Sequence, residues 1–168
     1  TEAKHAILRM YLGAWFPILT HYGTPAVYID GFAGPGEYSG GQKGSPLIAL
    51  EVAALHRAQI QAPLRFWFVE EKATRVANLQ RLIGGQVLQP RIAVDVVHGE
   101  FEKEFPRILD VLAAGRERAP SIFAFIDPFG FEGVPMALIH RLLQMDRAEA
   151  FITFNERDVN RFLEHPNP

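Results

Sequence analysis

Carboxylates recur in this sequence directly after short β-rich runs, and glycines or aromatics stand beside them. Asp30-Gly31-Phe32-Ala33-Gly34-Pro35-Gly36 follows the run 26–29, Glu70-Glu71 follows 65–69, and His98-Gly99-Glu100-Phe101 follows 92–97. Asp127-Pro128-Phe129-Gly130 follows 121–126, and Asn155-Glu156 follows 150–154. In an open α/β sheet, ligands bind beyond the carboxyl ends of the strands, so these positions are where chemistry belongs.

The glycines of Gly31-x-x-Gly34-x-Gly36 let backbone approach a ligand closely. The spacing differs from the dinucleotide fingerprint G-x-G-x-x-G, no helix follows at once, and Pro35 removes one N–H donor, so a pyrophosphate cradle is disfavoured. Glu70 ends the second strand, where an acid accepts hydrogen bonds from both hydroxyls of a ribose. Its distance from the glycine turn exceeds the usual ~20 residues, partly because 37–44 is inserted between them. Gly99-Glu100-Phe101 sets a carboxylate and a ring where an adenine would lie. Asp127-Pro128-Phe129 can clamp a planar amine: Asp127 or the Pro128 carbonyl accepts from the NH2, and Phe129 stacks on the ring. Structural alternatives stand beside each motif. They are a plain Gly-rich connection, an acid favoured by a helix start for Glu70, Glu71 and Glu100, and an Asp-Pro turn at 127–130. The histidines carry no metal-ligand spacing, and His98 alone neighbours the strand ends.

The elements that must position these residues alternate along the chain. Residues 2–19 read as an amphipathic helix whose apolar stripe is Ala3, Ala6, Ile7, Met10, Tyr11, Ala14, Trp15 and Ile18, with Thr1 as N-cap. Gly23-Thr24-Pro25 ends it. Strands are expected at 26–30, 65–70, 92–97, 121–126 and 150–154. Helices are expected from Ser45 (as N-cap, with Pro46 in the first turn), over 72–83, over 101–114 with Gly115 as C-cap, and over 134–145. Residues 158–163 can form one more helix. Strand and helix in regular alternation predict a parallel sheet covered on both faces, and the nearly unbroken apolar runs 66–69 and 121–126 suit strands buried on both sides. One domain is expected, with the helical segment 1–24 packed on an α/β unit, 25–168. Only the glycine-rich loop 36–44 reads as flexible.

Composition bounds the function. The 168 residues are 48% hydrophobic and 21% charged, enough for a substantial core. No apolar run reaches the length of a membrane helix. No Cys occurs, which excludes disulfides, thiolate metal sites and a Cys nucleophile in this chain and fits a reducing, cytoplasmic setting. With a net charge of −2 and a pI of about 6.3, any nucleic-acid contact must be a local patch.

Three pieces resemble the three-Cys-motif partner (TcmP) family: Tyr28-Ile29-Asp30-Gly31-Phe32-Ala33-Gly34-Pro35-Gly36, Gly44-Ser45-Pro46-Leu47-Ile48-Ala49 and Phe125-Ile126-Asp127-Pro128-Phe129-Gly130. The opening Lys4-His5-Ala6-Ile7-Leu8-Arg9-Met10-Tyr11-Leu12-Gly13-Ala14-Trp15 is similar to the same family. More distantly, these pieces resemble the ribosomal RNA adenine-N6 methyltransferases, whose Asp-Pro-Pro-Tyr motif is here Asp-Pro-Phe-Gly. The resemblance implies a Rossmann-like, class I S-adenosyl-L-methionine-dependent methyltransferase fold. It implies that Asp30, Gly31, Phe32, Ala33, Gly34, Gly36, Ser45 and Glu70 hold S-adenosyl-L-methionine, with Lys4 at the methionine carboxylate and Gly99 and Glu100 at the adenine. It makes Asp127, Pro128 and Phe129 the target-amine clamp. It also implies a partner with a radical-SAM-type three-Cys motif, so a non-catalytic partner subunit is the second expectation; an NAD-dependent oxidoreductase ranks last. Sheets of this class usually have seven strands. With five expected strands and no Met at position 1, the expectation is that the native chain continues past Pro168 and covers the edge strand 150–154.

Overall fold

The computed structural model describes residues 2–56, 58–115, 119–128 and 134–153. Five strands and five helices alternate: α1 (Glu2–Thr20), β1 (Ala26–Asp30), α2 (Ser45–Leu55), β2 (Leu64–Glu70), α3 (Ala73–Gly84), β3 (Ile92–His98), α4 (Phe101–Ala113), β4 (Ser121–Ile126), α5 (Met136–Leu143) and β5 (Ala148–Ile152). All strand pairs are parallel and the order is β3-β2-β1-β4-β5. This is a Rossmann-like α/β sheet. The order reverses at β1, so a crevice opens between the carboxyl ends of β1 and β4.

Alternate side chains of the central strands enter opposite layers. Tyr28, Phe66, Phe68, Phe123 and Phe125 pack with Leu8, Leu12 and Phe16 of α1, Ile48 and Val52 of α2, and Leu79 of α3. Val27, Ile29, Val69, Ile122, Ala124 and Ile126 pack with Phe101, Phe105 and Leu109 of α4 and Ile139 and Leu142 of α5. Burying each such side chain is worth roughly 1.5–3 kcal/mol, so these two layers fix where the strands end.

Five expectations need correction. The first is the C-cap of α4, which is Ala114 and not Gly115. Of the apolar stripe expected on α1 only Trp15 is buried: Leu8, Leu12 and Phe16 are buried with it, whereas Ile7, Met10 and Ile18 are exposed, Met10 at 77%. The helix is apolar around its circumference, and only its fit to the sheet selects the buried side. Ser45 is not the N-cap of α2; Gly44 is, and Ser45 opens the helix. The Gly44 N–H donates to the Gly36 carbonyl at 2.7 Å, an approach with little room for a Cβ. Strand β5 begins at Ala148, two residues early, because Ala148 pairs with Ile122 and Ile152 with Ile126. The loop 36–44 is tied into a small hairpin by an antiparallel bridge between Glu37 and Lys43, and the Tyr38 N–H donates to the Gln42 carbonyl at 2.9 Å.

The N-cap expected at Thr1, the ring of Phe129, Asn155-Glu156 and the helix expected at 158–163 lie outside the described residues. Among the described residues no helix is long and apolar enough to cross a membrane.

Candidate functional site

The turn after β1 spends its own donors on the protein. The Gly31 N–H reaches the Phe125 carbonyl at 2.9 Å and the Ala33 N–H the Val69 carbonyl at 2.9 Å. The Phe32 N–H donates to Asp30 Oδ1 at 3.2 Å, and the Gly34 N–H to Glu70 Oε2 at 2.9 Å. Pro35 has no N–H, and its carbonyl accepts from Asn78 Nδ2 at 2.8 Å. Gly34 and Gly36 hold φ of +68° and +82°, a region costly for residues with a Cβ. A Cβ on Gly34 would meet nothing within 4 Å. Its need for glycine is conformational, not the steric one that close approach to a ligand suggests. Gly31 is the sterically constrained glycine, since a Cβ there would come within 2.7 Å of the Phe101 ring.

Glu70 is buried and clamps this turn. Besides Gly34 it accepts the Lys72 N–H at 2.8 Å through Oε1, and Arg75 Nη1 stands 3.8 Å from Oε2. Each oxygen retains a further lone pair for a ligand hydroxyl. Beyond it lies a cavity of about 630 Å³, lined by Gly31, Phe32, Val69, Glu70, Glu71, Lys72, Arg75, Gly99, Glu100, Phe101 and Glu102. Phe32 and Phe101 stack at 5.0 Å. Glu100 caps the start of α4 by position but not by a side-chain bond; its carboxylate is exposed and pairs with Lys103 at 2.9 Å. Four carboxylates against two cations make the lining negative.

Asp30 lies under the turn with no exposed surface. The Tyr28 and Ser45 hydroxyls are near enough to favour its charge, but neither aligns into a hydrogen bond, so Asp30 Oδ2 and Tyr28 Oη are both left without a partner. Burial above all, with Asp127 adding, pushes the Asp30 carboxyl up to about 7, against opposing contacts from Ser45, Phe32 and Tyr28.

Asp127, two residues beyond the end of the β1–β4 pairing, is engaged on both oxygens. Lys4 Nζ donates to Oδ2 and forms an ion pair, and the Thr153 hydroxyl donates to Oδ1. Lys4 thus fastens the first turn of α1 over the crevice, and in this structure it lies on Asp127.

The structure therefore gathers Gly31, Phe32, Glu70, Gly99 and Glu100 around one cavity, with Ala33, Gly34 and Gly36 forming the turn beside it. Asp30 with Ser45 lies beneath the turn, and Lys4 with Asp127 at the crevice. Sequence reading missed Thr153, Tyr28, Arg75 and Asn78. The last two stand three apart on α3, the spacing of one helix face, which was the available signal. No protein-family model and no curated protein matches this chain.

Proposed function

We propose that this chain is an S-adenosyl-L-methionine-dependent methyltransferase of the three-Cys-motif partner type, acting on a nucleobase or other planar amine. The observation that carries this reading is the donor accounting of the turn. The N–H groups of residues 31–34 are all consumed by protein acceptors and Pro35 has none. A dinucleotide diphosphate, which needs free N–H donors, would meet carboxylates instead. The same lining suits a ligand with hydroxyls, an amine and a sulfonium cation. In this reading Glu70 accepts from the ribose and Glu100 from the adenine amine, and the charge of Asp30, buried beneath the turn, favours a cation above it.

Bound S-adenosyl-L-methionine supplies an electrophilic methyl group. The residues of this chain do the positioning, on which such a transfer chiefly depends. Asp127 orients the acceptor amine with a remaining lone pair, Lys4 supplies the counter-charge, and Thr153 fixes the carboxylate. The Pro128 carbonyl accepts a hydrogen bond from the second N–H of the amine in this scheme. Calorimetric titration tests the reading: S-adenosylhomocysteine is expected to bind and NAD not to. NAD binding without S-adenosylhomocysteine binding would refute it.

The exposed stripe Ile7, Met10 and Ile18 on α1 favours a second reading, a non-catalytic subunit that docks on a radical-SAM-type three-Cys-motif protein. Co-purification with such a protein, lost when Met10→Glu is introduced, would support it. Equal co-purification of Met10→Glu would remove α1 from the interface.

A further inference from the structure

The acid that the methyl-transfer reading gives to the acceptor already holds an amine. Lys4 Nζ donates to Asp127 Oδ2 and forms an ion pair with it. Register explains how residues so far apart in sequence meet. Asp30 pairs with Phe125 and Ile126 with Ile152. The ladder runs on past β4, since the Thr153 N–H donates to the Ile126 carbonyl at 3.0 Å. Side chains alternate along a strand, so Asp30, Phe125 and Asp127 share one face of the sheet at its carboxyl edge. Phe125 packs in the same layer as Leu8 and Leu12, so α1, which carries Lys4 in its first turn, covers this face.

The cavity beside Glu70 includes Gly31, whose N–H is bonded to the Phe125 carbonyl at 2.9 Å, two residues before Asp127. A ligand seated in that cavity therefore lies beside the strand that carries Asp127. The Thr153 hydroxyl holds Asp127 Oδ1, which leaves Oδ2 to the amine. The Lys4 side chain keeps 30% of its surface exposed, so water can take a proton from it. A lysine also brings a compact amine on a flexible stem, and the first turn of a helix is where its backbone is least held.

We propose that Lys4 is a methylation site of this chain and that the chain's own crevice carries out the transfer. The proposal rests on the methyl-transfer reading, from which it takes the donor, the sulfonium of S-adenosyl-L-methionine. The Lys4 ammonium first releases one proton to water. The freed lone pair of Nζ attacks the methyl carbon, and the N–C bond forms as the C–S bond breaks. The C–S electron pair stays on sulfur, giving the thioether S-adenosylhomocysteine. The product is a secondary ammonium that keeps its charge and two N–H donors, so it can return to Asp127. Asp127 contributes by placing the nucleophile.

The test is mass spectrometry of the whole chain after incubation with S-adenosyl-L-methionine that carries a deuterated methyl group. Wild type is expected to gain the label on Lys4, mapped by fragmentation, at a rate independent of protein concentration because nucleophile and site lie on one chain. Lys43, Lys72 and Lys103 are the remaining lysines and act as internal controls. Lys43 and Lys103 are more exposed than Lys4, at 52% and 66%, so indiscriminate alkylation favours them. Asp127→Asn is expected to slow Lys4 labelling roughly ten- to hundredfold, the weight of a hydrogen bond to a charged group. Wild type unfolded in urea, where Lys4 and Asp127 are apart, is expected to label Lys4 no faster than the other lysines. Labelling that follows exposure, that persists equally in urea or in Asp127→Asn, or that speeds up with protein concentration overturns the proposal. An unlabelled Lys4 in a chain that binds S-adenosylhomocysteine by calorimetry also overturns it and leaves the methyl-transfer reading in place. A chain that neither labels nor binds S-adenosylhomocysteine overturns both.

Discussion

Asp30→Asn removes the one described carboxylate that is fully buried with an oxygen left unpaired. Its carboxyl titrates near 7 in the fold, against about 3.9 in an unfolded chain. At roughly 1.4 kcal/mol per pKa unit, holding it charged costs the fold about 4 kcal/mol. The sign follows from proton counting. Between about pH 4 and 7 the folded state binds the proton more than the unfolded state does, so this group's contribution worsens as pH rises and the whole cost is present above 7. Asn carries no charge and pays none of this. Urea unfolding of both proteins at pH 5 and pH 8 gives the stability difference at each pH. The variant's relative stability is expected to rise by about 1–4 kcal/mol on going from pH 5 to pH 8. Any constant penalty from seating the amide cancels in that comparison, as do the other carboxylates common to both proteins. A difference unchanged between the two pH values would refute the argument that burial of Asp30 outweighs the contacts that favour its charge.

Three further outcomes follow from the same turn. Glu70→Ala strands the buried N–H of Gly34 at about 1–3 kcal/mol, while the exposed Lys72 N–H turns to water, so thermal unfolding should fall by roughly 2–12 °C and S-adenosylhomocysteine affinity should fall with it; an unshifted midpoint would show that Glu70 does not hold the turn. Gly34→Ala forces a Cβ residue to φ near +68° at about 1–2 kcal/mol, and because nothing crowds that Cβ, Gly34→Asn should cost less in the same denaturation experiment. Gly31→Ala pushes on the Phe101 ring, with an overpacking cost of about 1–3 kcal/mol and weaker S-adenosylhomocysteine binding because Phe101 lines the cavity; unchanged binding would remove Phe101 from the ligand's surroundings.

The sheet was legible because its strands write themselves in runs with only one sensible partner. The run 121–126 is apolar after Ser121 and is buried on both faces, so its assignment needed no tertiary information. Helix α1 was legible as a helix but not as a surface. Ile7, Met10, Ala14 and Ile18 repeat at helical spacing as well as Leu8, Leu12, Phe16 and Leu19 do, and periodicity cannot choose between two apolar faces. The strand-end acids could be found because topology sends strand ends to one edge. Their partners could not, since Lys4 and Asp127 are 123 positions apart and no local pattern joins them. Strand β5 slipped by two residues because hydrogen-bond register with β4, not hydrophobicity, sets where it starts.

The three buried or half-buried acids of the crevice differ chiefly in how far their lone pairs are used, and that difference separates their roles. Glu70 accepts two backbone N–H bonds and faces Arg75, so its first effect is to set the shape of the turn. Asp127 is bonded to Lys4 and Thr153, which orients it and brings the start of α1 to the crevice. Asp30 has one backbone donor and one empty oxygen. A fold that gains nothing from that oxygen would replace the charge with an amide or an apolar group, because buried unpaired groups are costly and neutral substitutes are at hand. The charge at Asp30 is therefore the feature of this crevice that stability alone does not explain, and a cationic ligand over the turn is what would repay it.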